Sequence, residues 1–445
     1  MLDTVGLPMM RNNHVARHRS ALLLSAKAIA VSLRSGNWRG EATGVGGALD
    51  MAVGYFLRSF GTMPFGWVYA CRKQAPKVAM GRTPLKVTEF DAGGHAVLLG
   101  RDALQGMQHV LAGSAAECFI LGDANTLRHC LPELLGQVPA LRSAATIAVE
   151  PGEASKDIGV CQDIWRHLIA NAADRQVILV NLGGGVVTDL GGFIAATYKR
   201  GIRCMHVPTS LLGMVDAAIG GKTGIDLAGV KNVVGAFHDP LGVYVHVPFL
   251  KSLGKRELLN GLAEMIKHGL VRDAAHWEAI TTAPLHDLDA LAPLVERSAA
   301  IKAEVVRLDP REKDLRKVLN FGHTIGHAVE AHSWEGSQRP LLHGEAVVFG
   351  MVCAAYISCR MDLLDRGSYD RIVQHLLGLY KPYSLESTDH HRIIELMRND
   401  KKNASGEFRF TLLTGIGSAE VDVPVTAAQV QDALEQMRTL IKPVE

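Results

Sequence analysis

The chain is predicted to fold as an α/β domain built on a Rossmann-like parallel sheet, followed by a mostly α-helical domain. Two observations carry this. Between about residues 85 and 248, short apolar and often β-branched runs alternate with stretches of helical period, the signature of strands joined by crossover helices. After Pro248 the period is helical, apart from one late stretch that reads as a small hairpin.

In order along the chain, "ECFILGD" (117–123), "AATIAVE" (144–150), "QVILVNLGGG" (176–185), "CMHVPTS" (204–210) and "VYVHVP" (243–248) are bounded by turn residues and read as strands buried on both faces. "NTLRHCLPELL" and "DIGVCQDIWRHLIANAA" between them read as helices. Ligands of such sheets bind at the carboxyl ends of the strands. The later helices are "KRELLNGLAEMIKHGLVRDAAHWEAI", "LDALAPLVERSAAIKAEVVRL", "FGHTIGHAVEA" and "GEAVVFGMVCAAYISCRM", with "EFRFTLLTGIGSAEVDV" as the hairpin. This gives an α/β domain over 80–248, a mostly helical domain over 249–445, and a cleft between them.

Residues 1–79 stand apart. They hold ten Lys or Arg and three acids, with no clear period. A transit-type targeting segment fits the charge, but "MAVGYFLRSFGTMPFGWVYACRK" is apolar for one. A small extra module would bury little core alone. The favoured reading is an extension upstream of a true start near Met80, dispensable for the rest of the chain.

The composition is 48% hydrophobic and 21% charged with net charge +2, which gives no sign of nucleic acid or an anionic membrane as partner. No apolar run reaches the roughly 20 residues that span a bilayer. Seven scattered cysteines without a C-x-x-C pair fit a reducing, cytoplasmic setting and argue against a thiolate zinc site.

Four passages could carry chemistry. "NLGGGVVTDLGGF" follows a strand and opens a helix, so its glycines and free amides suit a phosphate, although a tight βα turn explains them equally. Asp123 ends a strand, where a carboxylate can bind ribose or simply cap a helix. Asp216, Lys222, Lys231 and Asn232 lie in a Gly-rich, apolar passage, and lysines are seldom placed there for packing. Glu264 and Lys267 share a helix face as an ion pair or as part of a metal site. His323 and His327 also share a face, and His343 follows. Two imidazoles and a carboxylate would leave open positions on a catalytic metal, but spacing does not choose which two.

From about residue 85 to 440 the sequence resembles the 3-dehydroquinate synthase family of sugar phosphate cyclases. The resemblance rests on "GGGVVTDLGGF", "YKRG", "VPTSLLGMVDAAIGGKTGID", "KNVVGAF", "GLAEMIKHGL", "LRKVLNFGHTIGHAVE", "LLHGEAV" and "NDKKNASGEFRFTLL" in that order. It implies a dehydroquinate synthase-like fold, NAD, and a divalent metal, Zn2+ or Co2+, held by Glu264, His323 and His343. It makes His327 a catalytic histidine that contacts substrate. It places Asp216, Lys222, Asn232, Lys267, Lys302, Arg316, Asn320 and one of Lys401 and Lys402 on the substrate. Arg200 would reach across a homodimer interface. Asp123, Asn125, Glu153, Lys156, Gly184, Gly185, Asp189, Thr209, Ser210, Lys222 and Lys231 fall on NAD positions.

The implied reaction closes a seven-carbon sugar acid phosphate into a carbocycle. Hydride is removed and later returned, and the substrate's own phosphate takes the proton in elimination. The rivals are a sister cyclase acting on sedoheptulose 7-phosphate or glucose 6-phosphate, a metal-dependent alcohol dehydrogenase of related fold, and a non-catalytic homologue. A dehydrogenase would need no such array of basic residues, and a non-catalytic homologue would show decay of the metal or NAD set.

Overall fold

The computed structural model describes residues 86–441 except 229, 337–338, 382, 387–388 and 400–406. The N-terminal extension, the start at Met80, and Lys401 and Lys402 lie outside the described residues. Residues 83–445 group as one unit by their internal contacts.

The central sheet has seven strands: β1 (Thr88–Asp91), β2 (Ala96–Leu99), β3 (Cys118–Asp123), β4 (Ala145–Val149), β5 (Ile178–Gly183), β6 (Arg203–Pro208) and β9 (Val243–Val245), in the order β1-β2-β9-β6-β5-β3-β4. All pairings are parallel except β1 with β2. The five strands expected from the sequence are all present. The β1–β2 hairpin was not foreseen; its two strands have four residues each, too short for a visible period.

Period-2 packing explains the apolar runs. Phe119, Leu121 and Leu179 face one hydrophobic cluster with helices α4 (Ile158–Ala170) and α5 (Gly185–Thr197). Ile120, Ile178, Val180 and Leu182 face the other. Before these come α1 (Ala103–Ala112), α2 (Ala124–His129) and α3 (Leu131–Gln137). The stretch read as one helix over 125–135 breaks at Cys130, with a proline entering the first turn of α3.

The second cluster runs on into α6 (Lys255–Arg272), α7 (Ala274–Thr282), α8 (Leu288–Leu308), α9 (His323–Gly336), α10 (His343–Arg360) and α11 (Arg366–Leu379). α6 and α7 also divide one predicted stretch: Asp273 caps the second by accepting from the His276 amide at 3.1 Å. α12 (Asp389–Asn399), the hairpin β10 (Phe408–Gly415) and β11 (Ser418–Val425), and α13 (Ala427–Ile441) complete the fold.

The Gly-rich passage after β6 is more ordered than its composition suggests. Residues Gly213–Ala217 form a π-helical turn, and β7 (Lys222–Leu227) pairs antiparallel with β8 (Val230–Phe237) in a separate ribbon.

Two helix crossings are close because glycine is there. A Cβ on Gly344, in the first turn of α10, would lie 2.1 Å from the Asn260 carbonyl oxygen of α6. A Cβ on Gly350 would lie 1.8 Å from the Gly322 carbonyl oxygen just before α9. Three helices therefore converge where α9 and α10 begin and α6 passes its midpoint.

Candidate active site

That convergence gathers Glu264 from α6, His323 and His327 from α9, and His343 from α10. Glu264 Oε1 is 3.7 Å from His323 Nε2 and 3.6 Å from His343 Nε2. Ligand atoms ~2.1 Å from one tetrahedral ion stand about 3.4 Å apart, so the carboxylate and these two imidazoles are spaced to share one. Glu264 is fully buried, touches the Lys267 ammonium, and accepts no hydrogen bond of ordinary geometry. Burial alone would raise its carboxyl, but Lys267, His343 and His323 hold it well below the usual range.

The two imidazoles are also oriented. His323 Nδ1 lies 3.2 Å from the Phe321 carbonyl, and His343 Nδ1 lies 3.2 Å from Glu330 Oε2. An Nδ1 that donates leaves Nε2, on the side of Glu264, as the nitrogen able to bind a metal, the usual arrangement of metal-binding histidines. Burial, with Lys267, keeps His323 well below its ordinary value and therefore neutral. His343 behaves oppositely: burial would lower it, but Glu264 and Glu330 push it up to about 10, marking a spot that favours positive charge. His327, ring centroid 5.0 Å from His323, is the exposed member of the trio.

Asp216, Glu264 and His268 form a second set of candidate cation ligands. Lys302 already touches Asp216, and Lys267 touches Glu264, so ammonium groups supply the positive charge there. His268 is held neutral, at about 3, by burial and Lys267, with Nδ1 2.8 Å from Ser298 Oγ. Burial lowers Lys302 below an ordinary lysine even beside Asp216.

Arg316 is 2% exposed, and its guanidinium donates to the carbonyls of Pro310 at 2.9 Å and Gly220 at 3.2 Å. Asn320 donates to Glu312 at 2.8 Å, and Lys222 touches the same carboxylate. Lys222, Lys267, Lys302, Arg316, Asn320 and Asp216 thus come from four segments of the chain to form linked clusters.

Six of the expected cofactor residues, Asp123, Asn125, Gly184, Gly185, Thr209 and Ser210, lie at the carboxyl ends of β3, β5 and β6. Glu153 and Lys156 instead follow β4, Asp189 is within α5, and Lys222 and Lys231 are on the β7–β8 ribbon. Gly184 is the N-cap of the 13-residue α5, which begins at Gly185, and the Thr209 amide donates to the Gly183 carbonyl at 2.9 Å. Ser210 Oγ accepts from the Gly213 amide at 3.2 Å. Asp123 caps α2, accepting from the Asn125 and Thr126 amides at 2.8 and 3.0 Å. The structure gives it the cap role that was one of its two readings, and Asn125 is exposed.

Lys156 is buried, with Nζ 3.0 Å from Asp189, 3.5 Å from Glu153 and 2.5 Å from the Asn232 side-chain oxygen. Burial would lower it, but Asp189 and Glu153 hold it above an ordinary lysine. Asn232, expected on the substrate, joins this group. Lys231 reaches the other way: its Nζ lies 2.5 Å from Glu330 and 5.2 Å over the Trp334 ring. Arg200 is exposed, in a turn where Lys199 and Arg200 take φ of 49° and 66°.

Sequence reasoning missed Glu330, Glu312 and His268. Glu330 was legible in principle, because it lies seven residues after His323 and so shares its helix face. Glu312 has no such signal: it lies in a turn outside any helical or strand period, and meets Asn320 eight residues on and Lys222 from the β7–β8 ribbon.

Comparison with known proteins follows the same outline. Residues 146–260 match the 3-dehydroquinate synthase N-terminal family model and residues 261–403 the C-terminal one. A 3-dehydroquinate synthase of Parabacteroides distasonis is 41% identical over 325 residues, 72% of this chain and 91% of that protein. A 2-epi-5-epi-valiolone synthase of Streptomyces hygroscopicus, solved with NAD+ and Zn2+ bound, superposes with TM-score 0.68 at 25% identity, covering 81% of this chain and 99% of that one. A 2-deoxy-scyllo-inosose synthase solved with carbaglucose-6-phosphate, NAD+ and Co2+ gives TM-score 0.67 at 22% identity over 79% and 100% of the two chains; at that identity it speaks for the fold.

Proposed function

The chain belongs to the 3-dehydroquinate synthase family, and on that premise we propose that it converts 3-deoxy-D-arabino-heptulosonate 7-phosphate to 3-dehydroquinate and phosphate, as a phosphate-eliminating lyase of the shikimate pathway. The observation that carries this is Glu264, His323 and His343 at ion-sharing distances, beside buried Lys267, Lys302 and Arg316.

In this reading residues 80–248 bind NAD and 249–445 bind metal and substrate. Glu264, His323 and His343 hold Zn2+ or Co2+, and Gly184, Gly185, Thr209, Ser210, Asp189 and Lys156 hold NAD. Bound NAD supplies a hydride acceptor and donor, and the bound metal a Lewis acid for substrate hydroxyls. Lys267, Lys302 and Arg316 orient the carboxylate and phosphate of the substrate through charge-assisted hydrogen bonds. Lys302 is held in the buried cluster by Asp216 on the π-helical turn. His327, exposed beside the metal ligands, relays protons at its imidazole. We place the enzyme in the cytoplasm as a homodimer in which Arg200 completes the partner's site. Six cysteines among the described residues are unpaired, in keeping with a reducing compartment, and no described helix is long and apolar enough to cross a membrane.

The test is phosphate release by purified full-length protein given NAD, zinc or cobalt, and the seven-carbon substrate. Chelation should stop turnover and divalent metal restore it, with no build-up of NADH. NADH formed in step with phosphate would make the protein a net dehydrogenase. Equal turnover of sedoheptulose 7-phosphate would favour the sister cyclases that the fold neighbours bring to mind.

A further inference from the structure

We infer that Glu330 is a positioning residue that fixes the imidazole of His343 and so sets the affinity of the metal site. The inference rests on the reading of His343 as a ligand. Glu330 is 3% exposed, and a buried carboxylate is costly unless its oxygens are matched. Both are matched, by different partners. Oε2 lies 3.2 Å from His343 Nδ1, and Oε1 lies 2.5 Å from Lys231 Nζ.

The His343 contact is on the ring nitrogen away from Glu264. With Nδ1–H donating to Glu330, the tautomer is fixed, Nε2 keeps its lone pair, and the ring is more basic. A carboxylate behind a ligating histidine typically changes metal affinity by 10–100-fold.

The surrounding chain keeps this contact in register. Ser333 Oγ donates to the Glu330 carbonyl at 2.7 Å and accepts from the Leu341 amide at 3.0 Å. This pins the connection between α9 and α10 two residues before His343. Lys231, from the β7–β8 ribbon, balances the charge of Glu330 on its other side.

A rival role for Glu330 is purely structural, as the dock for Lys231 and its ribbon. The two roles separate in cobalt titrations of metal-free, NAD-free full-length protein, read by calorimetry and by the visible Co2+ bands. His343→Ala marks the site. Glu330→Gln is expected to weaken Co2+ binding by 10–100-fold and to shift the visible bands, whereas Lys231→Met, which leaves the Glu330 carboxylate facing His343, should weaken binding less and leave the bands in place. Equal weakening by both variants, or a Glu330→Gln affinity within threefold of wild type, would overturn the inference.

If wild type and His343→Ala bound cobalt alike, the ligand assignment itself would be what failed. Should Glu330→Gln not fold, zinc-loaded wild type with 15N-labelled histidine still decides. A low-field, hydrogen-bonded Nδ1 proton that disappears in His343→Ala is expected, and an Nδ1 proton that exchanges freely with water would refute the contact.

Discussion

Gly350→Ala tests whether the crossing of α9 and α10 builds the metal site. The new Cβ would sit 1.8 Å from the Gly322 carbonyl oxygen and 2.8 Å from the Gly326 amide nitrogen. Ordinary contact begins at 3.4 Å, so the crossing must open by up to about 3.4 − 1.8 = 1.6 Å. Overpacking costs roughly 1–3 kcal/mol, and here the obstacle is backbone, which puts the cost at about 3. Alanine in a helix interior returns about 1 kcal/mol, leaving a net loss of about 2 kcal/mol. That is a fall in Tm of several degrees for a chain of this size. Gly322 immediately precedes His323, so the displacement also carries one imidazole away from Glu264 and His343. Metal sites tolerate only about 0.2 Å, and cobalt affinity should drop at least tenfold. The control is Gly378→Ala on α11, where a Cβ would meet nothing within 4 Å; it should be neutral or stabilising by up to ~1 kcal/mol. Thermal unfolding of the metal-free variants and cobalt titration are the assays. A Gly350→Ala protein as stable as Gly378→Ala, with unchanged cobalt affinity, would refute the claim that glycine sets this geometry.

Arg316→Ala removes a buried cation and strands the Gly220 and Pro310 carbonyls; kcat/KM should fall by the ~2–5 kcal/mol typical of such a truncation, about thirtyfold to several-thousandfold, and Arg316→Lys should recover little of it because the fork is lost. Burial, partly offset by Asp273, lowers His276 from 6.5 to about 4, so its neutral form favours the fold: its contribution is fully present above pH 6.5 and is lost as pH falls toward 4. That loss is at most about 3 kcal/mol, at 1.36 kcal/mol per pH decade, and urea unfolding of His276→Gln between pH 4 and 7 should show a correspondingly flatter pH dependence; an unchanged slope would mean His276 does not titrate as described.

The sheet was legible because each inner strand is a continuous apolar run, a pattern only two-sided burial explains. The helices of the second half were legible by period, and "LDALAPLVERSAAIKAEVVRL" coincides with α8 from end to end. What escaped was set by tertiary contact. The ribbon β7–β8 lies in a glycine-rich passage whose strands alternate weakly, and its order comes from pairing Lys222 with Phe237 through Leu227 with Val230. In the site, spacing placed His323 and His327 on one face but could not rank them against His343. The ligand atoms of all three lie within 4.8 Å of one another. We take His323 and His343 as the ligands because each has a partner on Nδ1 and approaches Glu264, whereas His327 is exposed. The role of Lys231 was not readable at all: its ammonium reaches Glu330, 99 residues further along the chain.

The order of the strands also bears on how the chain is made. β2 lies beside β9, with Val97 opposite Val243, so its neighbour is synthesised 243 − 97 = 146 residues later. At about 5–20 residues per second, a ribosome needs roughly 7–30 s to deliver it. During that interval the β1–β2 hairpin has one flank without its partner, while β3, β4 and β5 are complete much earlier and can pair among themselves. The nascent chain is therefore expected to assemble its sheet from the β3–β4–β5 side and to add the first hairpin last. Chaperones that shield unpaired strands would have their longest hold on the earliest residues of the sheet.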